Sequence, residues 1–196
     1  MTINLSEIYT GLKAYRHERG LTAENQKAGY IVNVMEEMGE LAQALRCYER
    51  VKELLSKDRD GMCGYHHHIY NLMLIDAEHK IIDALCDIAV LTINAGADMR
   101  DEYKPLSFDV TNAIGDLYYL LLNISTFDVK KILFNCAVLC KEYGFNFETA
   151  MIETIKEISS RTGSYDEVAK KWVKDESDEA KAKWYKADFE RARIEK

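Results

Sequence analysis

A single proline, Pro105, interrupts 196 residues, and ten glycines are the only other strong breakers of regular structure. Punctuation this sparse leaves no room for many strands and tight turns, so long helices joined by short loops are expected. Apolar residues make up 47% and charged residues 30%, too apolar for a disordered chain. A chain of this length buries a sizeable core without disulfides or a structural metal. The expectation is an all-α bundle of about six helices in a single domain spanning 1–196.

The hydrophobic pattern sets the helices. The first runs from about Leu5 to Glu18 and is ended by Gly20. The second starts near Thr22 or Ala23 and carries GYIVNVMEEMGELAQALRCYERVKELL. Lys57–Gly64 reads as a loop, a third helix covers about Asp76 to Ala97, and Pro105 precedes a fourth from about Asp109 to Ile124. Two more follow near Val129–Glu142 and Phe147–Ser159. The charged segment 160–196, with both tryptophans, reads as an extended or short-helical tail folding back on the bundle. DALCDIAVLTIN (Asp83–Asn94) and NAIGDLYYLLLN (Asn112–Asn123) align without gaps and share Ala, Asp, Leu and Asn in register. The match reads as one duplicated helix or as two similar core helices.

Charge excludes one class of function. With 26 Lys+Arg against 33 Asp+Glu the net charge is −7, which disfavours binding to nucleic acid through its phosphates. A nucleoside triphosphate carried by a divalent cation stays compatible. The first twenty residues hold early charges and do not read as a signal peptide, and no run reaches the roughly 18 apolar residues of a membrane span. The five cysteines include no Cys-x-x-Cys pair and read as reduced, packed thiols of a cytoplasmic protein.

The acids carry the chemistry. Advancing about 100° per residue along the second helix puts Val34, Met38, Leu41 and Leu45 on the apolar face, with Glu37 and Glu40 on its shoulder. Glu36 turns toward solvent. The third helix is apolar almost all round, which calls for burial on every side. Yet Asp83 and Asp87, one turn apart, share a stripe with Val90 and Asn94. Two such acids repel, and burying them unpaired costs several kcal/mol. Packed against the Glu37/Glu40 shoulder, they give four converging carboxylates. An all-oxygen set of this kind suits Mg²⁺, or Mn²⁺. No Cys/His set has zinc spacing, His66–His68 reads as an incidental loop triplet, and no Glu-x-x-His supports a di-iron site.

These motifs resemble the all-α nucleoside triphosphate pyrophosphohydrolases, the MazG-like superfamily that includes all-α dUTPases, dCTPases and phosphoribosyl-ATP pyrophosphohydrolases. Its hallmark is EExxE on one helix and ExxD on the next. Glu36, Glu37 and Glu40 match the first half. In the second half Asp87 matches the final aspartate, Ala84 stands at the glutamate position, and Asp83 is the neighbouring acid. The match covers about Asn25 to Ala97, and EISSRTGSYDEVAKKWVKD…WYKADF also resembles the C-terminal part of MazG-like proteins.

The resemblance implies hydrolysis of a (d)NTP between its α- and β-phosphates, releasing pyrophosphate, with Mg²⁺ on Glu37, Glu40, Asp83 and Asp87. It implies a general base, Glu36 or Glu40, for the attacking water. Arg161, Lys170, Lys171 and Lys174 would hold the departing pyrophosphate, or else belong to a solvated tail. Asn94 would bond sugar or base, or be a satisfied core amide. A homodimer or higher homo-oligomer is implied, unless the repeat completes the site in cis. The competing expectation is a non-catalytic helical nucleotide sensor or oligomerisation module.

Overall fold

A computed structural model of the chain describes residues 1–57, 64–96, 107–166 and 171–195. In chain order these form β1 (Thr2–Asn4), α1 (Ser6–Glu18), α2 (Ala23–Lys57), α3 (Gly64–Gly96), β2 (Ser107–Asp109), α4 (Leu117–Thr126), α5 (Val129–Glu142) and α6 (Phe147–Ser160). Then come β3 (Gly163–Asp166), β4 (Lys171–Lys174), α7 (Asp178–Lys181) and a 3₁₀ turn, Phe189–Ala192. The described chain is mostly helical. Pro105 and Cys63 lie outside the described residues, and the four described cysteines are free thiols.

The two long helices dominate, with 35 residues in α2 and 33 in α3, each about 50 Å from end to end. They pack against each other along their length. The inner seam of α2 steps alternately by four and three through Tyr30, Val34, Glu37, Leu41, Ala44, Tyr48 and Val51. Every apolar member of that series is buried or packed on the core. This is the narrow stripe of a coiled-coil-like pair, and one carboxylate occupies it. α3 also packs on α5, α6 and α1, so its C-terminal half, Ile81 to Ala95, is enclosed on nearly every side.

Two boundaries differ from the sequence reading. α3 begins at Gly64 rather than near Asp76, so His66–His68 lie exposed on a helix, where the His67 ring nitrogen meets the Asn71 amide at 2.9 Å. α4 begins only at Leu117. The Asp116 carboxylate accepts from the Tyr118 amide as its N-cap, and the Gly115 amide donates to Glu142 Oε1 at 2.5 Å, which holds the preceding residues off the helix. The aligned repeats therefore place their shared aspartates differently: Asp87 is mid-helix and Asp116 is a cap. The tail contains a hairpin, β3 against β4, pairing Gly163 with Lys174 and Tyr165 with Trp172. A side chain at Gly163 would run into the Val173 carbonyl oxygen and the Trp172 indole, so only glycine permits this close pairing.

Sequence-distant contacts close the bundle. β1 pairs antiparallel with β2, Ile3 opposite Phe108. Segment 184–193 is clasped to α6 and α3: Arg193 donates to Glu78 at 3.0 Å and Ala187 N to Glu157 Oε2 at 2.8 Å. Glu153, almost wholly buried, takes bonds from the Tyr185 hydroxyl, Lys156 Nζ and Asp188 N. Burial alone would push the Glu153 carboxyl up, but these donors outweigh it and hold it down at about 2.

A carboxyl depressed on folding stabilises above its unfolded value and loses that contribution as pH falls through the folded one. Stability should thus drop by about 3 kcal/mol between about pH 4.5 and pH 2 through Glu153 alone. Glu153→Gln should cost about 2 kcal/mol at neutral pH in urea unfolding and flatten that acid limb. An unchanged limb would show that the clasp contributes nothing.

Candidate metal and phosphate site

Between Ile81 and Ala95 of α3 the only residues not buried are Asp83, Asp87 and Leu91, spaced by four. The acids thus occupy the one open strip of this enclosed half of the helix. Val90 and Asn94, expected beside them, are buried instead. Across from that strip stands Glu37, partly buried in the α2 seam, while Glu36 and Glu40 are exposed.

Burial first, and neighbouring negative charge second, raise the proton affinity of these groups. Burial, then Glu40, Asp83 and Glu36, push Glu37 up to about 7, with Lys174 opposing. Burial, then Glu157 and Glu40, raise Asp83 to about 6, against the pull of Arg161. Asp87 rises furthest, to about 8, through burial, Asp83, Glu37 and Glu157, again with Arg161 opposing. The charge of Glu40 thus acts on Glu37 and Asp83, those three acids and Asp87 form one electrostatic group, and Glu157 of α6 acts on both aspartates. The sequence reading did not include Glu157. Its only signal was the spacing of four between Glu157 and Arg161, the residue that ends α6, and Arg161 Nη2 donates to Glu157 Oε1 at 2.7 Å.

Basic groups arrive from the tail. Arg161 and the exposed Lys174 act on the acids electrostatically. Lys170 lies outside the described residues, and Lys171 is described only as part of β4. Arg19 holds this end of the molecule together. It is 5% exposed, and its Nη2 donates to the carbonyls of Ile158, Ser159 and Arg161 at 2.9–3.2 Å. Its guanidinium lies 4.4 Å from the Tyr15 ring centroid and 5.2 Å from that of Trp172. It therefore caps the C-terminus of α6 and stacks on the hairpin that carries Lys174. Asn94 is a core amide whose Oδ1 accepts from Arg16 Nη1 at 2.9 Å.

Oxygen donors alone, with raised and mutually repelling carboxyls, have the chemistry of a site for a hard divalent cation. Among the described residues, however, no group of three or more His, Cys, Asp or Glu side chains forms a set that could hold a metal ion. The acids press on one another's protons without closing into such a set. A separate cavity of about 830 Å³, lined by Tyr48, Glu78, Tyr143, Arg193 and neighbours, shares no residue with the cluster. Among the described residues no helix is long and apolar enough to cross a membrane. Comparison with protein families, curated proteins and solved structures finds no match for this chain.

Proposed function

We propose that this chain is a Mg²⁺-dependent nucleoside triphosphate pyrophosphohydrolase, converting a (d)NTP and water to (d)NMP and pyrophosphate in nucleotide-pool housekeeping. The observation that carries this reading is the trio Glu37, Asp83 and Asp87. These acids crowd together from adjacent helices with raised pKa values, and Arg161 and Lys174 act on them. Such a cluster is costly for the fold alone and suits a cation that brings a polyphosphate with it.

Glu37, Glu40, Asp83 and Asp87 would hold Mg²⁺, which when bound neutralises phosphate charge and orients it for in-line attack. Glu40 and Glu36, solvent-facing beside the cluster, are placed to take the proton of the attacking water. Arg161 and Lys174 bind the departing pyrophosphate. Asn94 is spent on Arg16, so sugar and base are read by other residues. The test is a panel of NTPs and dNTPs with Mg²⁺, read as phosphate released through added pyrophosphatase. Turnover of at least one nucleotide, abolished by EDTA, is expected. No turnover across the panel would reject the reading.

A second reading, a non-catalytic nucleotide-sensing or oligomerisation module, is favoured by apolar side chains open to solvent. These are Ile31, Val32 and Met35 on α2 and Tyr118, Tyr119, Leu121 and Leu122 on α4. A homodimer or higher homo-oligomer burying them is compatible with either reading, and light scattering tests it.

A further inference from the structure

Two hydrogen-bond donors near the acidic cluster are withdrawn from solvent and have no acceptor among the described residues: Arg161 Nε and Trp184 Nε1. They belong to neighbouring side chains, since the Arg161 guanidinium carbon lies 5.9 Å from the Trp184 ring centroid. Buried N–H groups in folded proteins are almost always paired, so two orphans side by side ask for a missing acceptor.

Their placement is built, not incidental. Arg161 is anchored through Nη2 to Glu157 and through its carbonyl to Arg19, and Nε is the buried nitrogen of its guanidinium that has no acceptor among the described residues. Trp184 is held by the residues that follow it. Tyr185 N donates to Ser160 Oγ at 2.8 Å, the Tyr185 hydroxyl to Glu153, and Ala187 N to Glu157 Oε2. The α6 acids thus fix the tail so that the Trp184 indole neighbours the Arg161 guanidinium. The same guanidinium acts electrostatically on Asp83 and Asp87.

We propose that Arg161 Nε and Trp184 Nε1 form a phosphate-oxygen subsite, the seat of the departing diphosphate. The inference rests on the hydrolase reading for the identity of its ligand. A phosphate oxygen fits better than a neutral carbonyl because one of the two donors is cationic, and a charge-assisted bond is the stronger. Glu157, Asp83 and Asp87 would repel a free anion, so the diphosphate enters together with a divalent cation that offsets them. Trp184 is then a binding residue contributed by the tail.

The test uses the ¹⁵N-labelled full chain, whose two tryptophans give two indole N–H resonances, assigned with Trp184→Phe. Titration with pyrophosphate plus Mg²⁺ should shift the Trp184 resonance saturably and leave that of Trp172 in place. Sulfate at the same ionic strength should move neither. Trp184→Phe keeps the ring but loses the donor, and should weaken pyrophosphate binding about tenfold by calorimetry. The wild-type titration does not depend on how well that variant folds. An unmoved Trp184 resonance at saturating pyrophosphate, or unchanged affinity in folded Trp184→Phe, overturns the subsite. If no nucleotide is hydrolysed but Trp184 responds to pyrophosphate, the hydrolase reading falls and the subsite stands. If nucleotides are hydrolysed while Trp184 stays silent, the subsite alone falls.

Discussion

Asp87→Asn should abolish turnover, by roughly 100-fold or more, and at the same time stabilise the metal-free protein. The sign follows from the direction of the shift. An aspartate whose pKa rises on folding, here to about 8, keeps its proton in the folded state while the unfolded chain has already released it. Stability therefore falls as pH rises from about 4 to 8, and a neutral amide escapes that loss. In EDTA the variant should match wild type near pH 4 and exceed it by about 2 kcal/mol near pH 8 in urea unfolding. A variant less stable at every pH would show that Asp87 is a paired structural acid, not a crowded one. Asp116→Asn is the internal control: asparagine caps a helix as well as aspartate does, so both activity and stability should hold.

Arg19→Ala carries the second large effect. It removes one nearly buried guanidinium that satisfies three carbonyls at the end of α6 and stacks between Tyr15 and Trp172. The expected cost is about 3 kcal/mol, because those carbonyls lose a charged donor and the ring stack opens. Arg19→Lys should recover only a minor part, since an ammonium cannot span three acceptors while lying flat between two rings. A red shift of Trp172 emission and faster proteolysis within 163–174 would locate the damage at the hairpin. Unfolding within about 0.5 kcal/mol of wild type would refute this account of Arg19.

What was legible in the sequence is what local chemistry decides. α5 and α6 begin where Asp128 and Asn146 cap them, and each carboxyl or amide accepts from an amide three residues on. The isolation of Asp83 and Asp87 on an apolar helix was visible for the same reason, being a property of one periodic segment. The start of α4 was not legible, because Gly115 is held by Glu142 from another helix. Nor was the seam position of Glu37 distinguishable from its shoulder, since a straight 3.6-residue wheel blurs a stripe that follows steps of four and three. Asn94 was left between two roles by its own surroundings and decided by Arg16, 78 residues away. Arg19, Glu157 and Trp184 gave little warning, for their importance lies in partners that only tertiary folding supplies.

The division between local and distant contacts also sets an order of assembly. α2 and α3 are consecutive, so a chain elongated only as far as residue 160 already contains Glu37, Glu40, Asp83, Asp87 and Glu157. It contains neither Arg161, nor the hairpin, nor Trp184. On the proposed function, the acids that would hold the cation are therefore synthesised before the basic and indole groups that would hold the phosphates. A chain of that length would, on the same proposal, lack both donors assigned to the diphosphate. On the proposed function, the residues that would hold the nucleotide's phosphates are thus the last of the site to be made.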